Sequence, residues 1–470
     1  MTKGTKKSAV NDSVLAPHND KEKRMKNTKK SICTLTAASM LLGCMTGCGG
    51  PPASSSTPSG EAVSETSGAV SQNATTEGAG VGSDTTITLL NTKSEVQDYL
   101  EELATAFKAD TGITLECYTN TEENHIAEKY AAGEPYTIMM MDHPDVSDYQ
   151  EYLLDLSGSD WAATGGNVYG LKINDALYGF PFCVEAVGMV YNAQAIEDIT
   201  GEPFDRKQYT TNEAFQVLLQ KLVDGGMETP IAVNKDDWSL ASHLFGQLYC
   251  LRGDGSESDS LSFVDQLKAG SIDLAADADF NAMMDTIDTL LKYNINAADP
   301  LSASYDLNAE YLAEGSVAFW PNGSWASGIY DTTDKIGIMP MPINTENPTL
   351  SQKLIAGASK MLVVDASAST LEQQQAAKTF LSWLVSSAAG QKFMVDQSGM
   401  IVAFDNVPMT ESAPLSISAY SFVRDNATTY WYQEMPSDHN AEVGALAQKY
   451  ISGGMDRAAF AAALQSYWAK

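Results

Sequence analysis

The chain has 470 residues, 44% of them hydrophobic, with 29 Lys/Arg against 60 Asp/Glu and a formal charge of -31. That length exceeds what one hydrophobic core serves and points to two lobes with accessory segments. Residues 1–47 hold nine of the basic and three of the acidic residues, leaving 20 against 57 beyond, a field that opposes nucleic acid and anionic lipid as partners.

The first element is a leader. In "MKNTKKSICTLTAASMLLGCMTGCGG" a basic stretch (Lys26, Lys29, Lys30) precedes an apolar run from Ile32 to Leu42, too short to span a bilayer and laid out as a secretory signal. Met25 is the better start, and residues 1–24 read as an over-extended one. The apolar run ends at cysteines and not at a small-residue A-x-A site. "LLGC", ending at Cys44, and "MTGC", ending at Cys48, both resemble the lipobox of bacterial lipoproteins. Cys48 is preferred as the lipidated residue because a Gly-Gly and a Ser/Pro/Thr tract follow it; Cys44 is the alternative. Residues 1–47 are thus a signal peptide. Residues 48–84, rich in Ser, Thr, Gly and Pro, form a linker that cannot bury enough apolar surface to fold. The layout places the body at the extracellular face of the cell membrane, held by a lipid anchor. Only Cys117, Cys183 and Cys250 lie in foldable sequence, which gives neither a disulfide framework nor a metal-binding C-x-x-C.

Regular structure begins at "TTITLLN" (85–91), a strand. "SEVQDYLEELATAFKADTG" follows as a helix, with Val96, Tyr99, Leu100, Leu103 and Phe107 on one face and Gly112 as its stop; "ITLECYT" is the next strand. A strand–helix–strand opening predicts an α/β fold with a mainly parallel sheet under covering helices. "YTIMMMD" (136–142) is a third strand, closed by a polar "DHPD" turn, and "DYQEYLLDL" reads as helical. "YGFPFCVEAVGMVYN" (178–192) sets Glu185 inside an apolar run, where a plain buried strand would not want it. Helices follow at "TTNEAFQVLLQKLVDGG", "SLASHLFGQLYCLR" and "FNAMMDTIDTLLKYN", then strands at "EGSVAFWP" and "IGIMPMPI". "EQQQAAKTFLSWLVSSAAGQKFMVDQSG" reads as one long helical region, and "AEVGALAQKYISGGMDRAAFAAALQSYWAK" closes the chain. No repeat of fixed period occurs.

Four stretches, in this order, carry a resemblance: "LATAFKADTGITLE", "YGFPFCVEAVGMVYN", "EGSVAFWPNGSWASG" and "TFLSWLVSSAAGQKFMVDQSGMIVA". Together they resemble the extracellular solute-binding proteins (family 1) of ABC transporters, the sugar-binding group similar to maltose-binding protein. The resemblance runs from about residue 85 to the C-terminus. It implies a two-lobe periplasmic-binding-protein-like fold of type II, with hinge crossovers and a ligand cleft between lobes. Residues 85–184 and 352–402 would form the first lobe, and 185–351 and 403–470 the second. It further implies a monomer that captures a carbohydrate and delivers it to ABC permease subunits, with no catalysis, cofactor or metal. Met141 stands where the maltose-binding relative offers an aromatic, so the sugar stays open.

A sugar site needs an aromatic plate for the ring face and a few fixed polar groups for hydroxyls. The resemblance implies Trp325, in "NGSW", as the plate. It implies Glu185 as a carboxylate that either reaches the cleft or serves a hinge salt bridge. Asp142 and His143 follow the third strand as contacts or as turn caps, and Lys93 and Glu95 follow the first. Trp238 and Tyr305 are second-lobe wall residues, and Gly357 to Ser359 begin a strand at the cleft mouth. Asn322 and Trp320 lie beside Trp325, Trp320 being equally a strand core residue. Asp142 with Glu185 is the carboxylate pair a glycosidase would need, but no H-E-x-x-H, G-x-S-x-G or P-loop is present. "DGSESDS" (254–260) lacks the Gly and Glu spacing of a calcium loop. Two other readings stay open: a non-sugar solute (polyol, phosphodiester or peptide), and a sensory receptor or adhesin of the same fold without a transporter.

Overall fold

The computed structural model describes residues 84–119, 124–329, 335–409 and 413–470. The signal peptide, Cys44, Cys48 and the linker up to residue 83 lie outside the described residues. Among the described residues nine strands form: β1 Thr86–Asn91, β2 Thr114–Thr119, β3 Ile138–Asp142, β4 Leu171–Ile173, β5 Ala176–Asn192, β6 Phe319–Gly323, β7 Ile336–Met339, β8 Leu354–Val364 and β9 Thr428–Tyr430.

The opening unit follows the sequence reading. β1 runs parallel to β2 from Thr86↔Thr114, and the helix Leu100–Thr111 between them buries Leu100, Leu103 and Phe107 on the sheet. Gly112 ends that helix at φ 78°, a left-handed conformation that glycine adopts without a Cβ penalty. The preceding residues Ser94–Tyr99 are a 3-10 turn and not part of the α-helix.

The sheet as a whole is mixed, not mainly parallel. β1 is parallel to β2 and β3, and β8 to β9. β8 is antiparallel to β3 and β5, and β5 is antiparallel to β4, β6 and β7. The cause is the crossovers. β5 is 17 residues long, and β8 returns along it in the opposite direction, so the pair that links the halves of the molecule must be antiparallel. β5 feeds two cores: Phe180, Val184 and Val190 join one, while Val187 and Met189 join the other. The first core packs Phe107 edge-on against Phe380 at 5.1 Å and Trp383 at 5.2 Å. The second gathers Phe215, Phe245, Phe280 and Phe460. Met139, Met141, Met361 and Val363 cover the other face of the first-lobe sheet, so Met141 is a packing residue.

Several local readings shift. "DHPD" is the start of a helix, His143–Tyr149, with Pro144 in its first turn, where a fixed φ and a missing N–H cost nothing. Only the first part of "DYQEYLLDL" is therefore helical. "SLASHLFGQLYCLR" divides into a π-helical turn, Ser239–Leu244, and a short helix, Gln247–Cys250. The long region from residue 371 breaks at Ser387 into Leu371–Ser386 and Ala388–Lys392. Phe404, placed above in the second lobe, stacks on Phe180 at 5.0 Å and faces Trp161, so first-lobe packing extends past residue 402. Among the described residues no helix is long and apolar enough to cross a membrane.

Candidate functional site

A cleft of about 330 Å³ opens where β3 ends and where β5 and β8 cross. One side carries Asp142 at the end of β3 and Pro144 and Asp145 after it, with Ser359 and Lys360 of β8; Glu185 of β5 lies at the floor. The other side carries Trp238, Ser242 and His243, then Trp325 after β6, and a segment that includes Trp431, Gln433 and Asn440.

Glu185 sits on an irregular part of β5. The ladder to β8 shifts register between Pro181 and Cys183 and again before Val184, where Pro181 lacks an N–H to donate; such bulges re-aim side chains. Oε1 of Glu185 accepts from Nζ of Lys93 at 2.8 Å, and Oε2 accepts from the Ser359 hydroxyl. The side chains of Lys93 and Glu185 are 8% and 13% exposed. Burial alone would neutralise both. The Lys93 charge and hydrogen bonds outweigh it for Glu185 and hold the carboxyl below its ordinary value. Glu185 does the same for Lys93, whose ammonium is raised above its ordinary value despite burial. Lys93 is fixed in turn by Asn91, whose Oδ1 accepts the Lys93 N–H at 3.1 Å and whose Nδ2 donates to its carbonyl at 2.8 Å. A second ion pair, Asp142 to Lys360 at 2.7 Å, joins directly opposed residues of β3 and β8.

The facing wall is aromatic. Trp325 and Trp431 lie nearly parallel, with centroids 6.4 Å apart and planes 20° apart. The His243 ring is 4.6 Å from Trp325 and 5.7 Å from Trp431, and Trp238 is 5.3 Å from His243. Burial pushes His243 down to about 4, so its imidazole is neutral at pH 7. Two glycines make room for this wall. A Cβ on Gly323 would lie 1.9 Å from the Trp325 ring. Gly357, opposite Glu185 in the ladder, lets Trp431 and Gln433 close over β8, and Gln433 Nε2 donates to the Ala358 carbonyl at 3.0 Å.

Of the residues singled out from sequence, Glu185, Asp142, Trp238, Trp325 and Ser359 line the cleft together. Lys93 stands behind Glu185, and Glu95 pairs with Lys93 at 3.2 Å from its outer side. Four are displaced. Trp320 is fully buried and donates from Nε1 to Asn234 Oδ1 at 2.8 Å; it pairs with Val190 in the sheet, so it is core. Asn322 is 2% exposed, donates to the Tyr305 hydroxyl at 3.2 Å, and lines a small void behind the wall. Tyr305 packs edge-on against Trp320 at 4.9 Å, one layer behind Trp238. His143 turns inward, its Nδ1 buried without a partner among the described residues, and burial pushes it down to about 4. Sequence reasoning missed Trp431, His243, Gln433, Lys360 and Asn440. The aromatic run "YWYQEMP" (430–436) was the one available signal for that wall.

This arrangement presents flat apolar faces opposite fixed charged acceptors and donors, the layout of a binding cleft. Residues 102–417 match the model of the family described as bacterial extracellular solute-binding protein. Among solved structures, the chain is similar to the raffinose complex of RafE, a protein of Streptococcus pneumoniae, at 21% identity, covering 82% of this chain and 98% of that one with a TM-score of 0.65. MsmE of Bacillus subtilis, in an open conformation, gives 18% identity, 82% and 97% coverage and a TM-score of 0.66. A binding protein of an ABC transporter from Bifidobacterium animalis, in complex with mannobiose, gives 18%, 82%, 94% and 0.59. At such identities the likeness is one of fold. No curated protein matches the chain. With the family match spanning most of the folded sequence and the two-lobe architecture beneath it, the chain belongs to the bacterial extracellular solute-binding proteins.

Proposed function

We propose that the protein captures an extracellular sugar or oligosaccharide in this cleft and hands it to the permease of an ABC importer. The observation that carries the reading is the Trp238–His243–Trp325–Trp431 wall set against Glu185, Asp142, Asp145 and Lys360. Pyranose rings offer apolar C–H faces to such rings, and their hydroxyls make strong hydrogen bonds to charged acceptors. Two solved proteins of this fold hold raffinose and mannobiose, which supports the same ligand class here. The protein acts as a monomer, anchored through lipid on Cys48, with Cys44 the alternative, and the linker lets the folded body stand off the membrane.

No bond is broken in this reading. Glu185 is held ionised by Lys93, so it has no proton to give at neutral pH, and Asp142 is engaged by Lys360. Binding itself does the work, since closure is favoured only as far as ligand contacts differ between open and closed states. A thermal-shift panel of mono- and oligosaccharides, polyols, phosphodiesters and peptides tests the reading. Carbohydrates are expected to raise the melting temperature. Stabilisation by peptides or polyols, with no carbohydrate raising the melting temperature, would overturn the sugar assignment.

A further inference from the structure

A second cavity, of about 580 Å³, lies where β7 ends and where β8 and β9 begin. It shares no lining residue with the cleft. Its rim carries Arg206, Lys207, Lys353 and Arg424 against one carboxylate, Asp425. Four cations in one concavity stand out in a chain of charge -31. At physiological salt the Debye length is about 8 Å, so these near charges outweigh the remote negative field.

The charges are only partly compensated: Asp425 feels Arg206 and Lys207 as well as Arg424, and the Asp254 carboxyl feels Lys353, all from beyond ion-pair distance save Arg424. Asp425 is taken by Arg424, Nε to Oδ1 at 2.8 Å. Among the described residues Arg206, Lys207 and Lys353 have no carboxylate within ion-pair distance. Lys353 Nζ reaches only the Asp254 carbonyl, at 3.3 Å. Arg206 is held in place by neutral groups alone: Nη1 donates to Ser418 Oγ at 2.9 Å and to the Ile338 carbonyl at 3.4 Å, and Nη2 donates to Ser421 Oγ at 3.0 Å. Its guanidinium lies 4.3 Å over the Phe422 ring. The Nε–H and one Nη2–H remain without acceptors among the described residues. A planar guanidinium fixed by neutral partners and facing a cavity with ammonium groups is suited to a multivalent oxyanion.

We propose that this cavity binds a phosphate-type oxyanion, seated on Arg206 and Lys353 with Lys207 and Arg424 at the rim. The volume exceeds what a bare ion fills and leaves room for the organic part of a phosphate ester. A soluble phosphate ester and the headgroup of a phospholipid share this chemistry.

Titration calorimetry on the full chain, at constant ionic strength with chloride as the balancing anion, decides the matter. The probes are inorganic phosphate and a soluble short-chain phosphatidylglycerol. Saturable one-to-one binding is expected, weakened about tenfold or more by Arg206→Gln and less strongly by Lys353→Gln. Lys353 sits at the cavity edge with a single long hydrogen bond, so Lys353→Gln keeps the test meaningful should Arg206→Gln disturb folding. Binding of the lipid alone, weakened by these substitutions, supports the site with phospholipid as the source. Absence of saturable binding by either probe, or binding indifferent to both substitutions, overturns it.

Discussion

Replacing Lys93 by methionine isolates the charge beneath the cleft. The substitution keeps most of the side-chain volume and leaves Glu185, 13% exposed, with the Ser359 hydroxyl as its remaining close partner. Removing one member of a buried pair costs about 3–5 kcal/mol, because the other charge stays desolvated. For a lobe-sized unit that is a fall in melting temperature on the order of 10 °C. The pH dependence separates charge from packing. In the parent protein the Glu185 carboxyl is depressed below its ordinary 4.5, so its contribution is fully present above that value and is lost as pH falls through the folded value. The raised Lys93 contributes below its ordinary 10.5 and is lost only at higher pH still. Without Lys93, burial raises Glu185 instead, and the variant regains stability as pH falls. Thermal scans from pH 7 to pH 4 should show the deficit narrowing. The double variant Lys93→Met/Glu185→Met should recover most of the stability at pH 7. A Lys93→Met deficit under about 1 kcal/mol, or one that does not change with pH, would refute the ion-pair reasoning.

Trp325→Ala should cost about 2 kcal/mol or more of sugar affinity, some thirtyfold in Kd, while thermal scans show the fold intact; unchanged affinity would remove its stacking role. Gly323→Ala touches no ligand, yet its Cβ meets the Trp325 ring at 1.9 Å. Affinity should therefore fall, with a shift in tryptophan fluorescence, and a variant that binds normally would show that the ring need not lie where it does. Cys48→Ser should abolish lipid labelling and release the protein from the membrane fraction; labelling that persists assigns the anchor to Cys44.

What sequence could and could not disclose follows from the range of the interactions. The opening βαβ unit was legible because its signals are local: apolar spacing from Leu100 to Phe107 and a stop at Gly112. Trp325 and Glu185 were reachable through ordered motifs. The fate of Trp320 was not, since a strand tryptophan and a cleft tryptophan differ only in which face of the sheet they occupy. One residue of register decides that, and the register of β6 is set by its pairing with β5 across more than a hundred residues of chain. Trp431 and Gln433 were missed for the same reason. They reach the site only because Gly357 leaves them space, a fact that no pattern within "YWYQEMP" contains.

Glu185 and Ala186 are consecutive, yet they are bound to opposite sides of the cleft. The Glu185 carboxylate is tied to Lys93 after β1 and to Ser359 on β8. The Ala186 N–H donates to Ser324 Oγ at 3.0 Å, and Ser324 precedes Trp325. Any rotation of one lobe on the other along β5 must therefore alter the distance between the carboxylate and the indole. A ligand that touches both makes its full set of contacts at one separation only, and that difference in contacts is what can shift the lobes toward closure. The same reasoning explains a charge within an apolar strand. Glu185 lines the cleft while its neighbours Val184 and Ala186 pack into the first core and Val187 into the second. The hinge ion pair and the proposed ligand contact would then be two uses of one carboxylate. Oε1 and Oε2 each accept one bond from the protein, and because the Lys93 pair keeps the group ionised, its remaining lone pairs are charge-assisted acceptors for a hydroxyl donor.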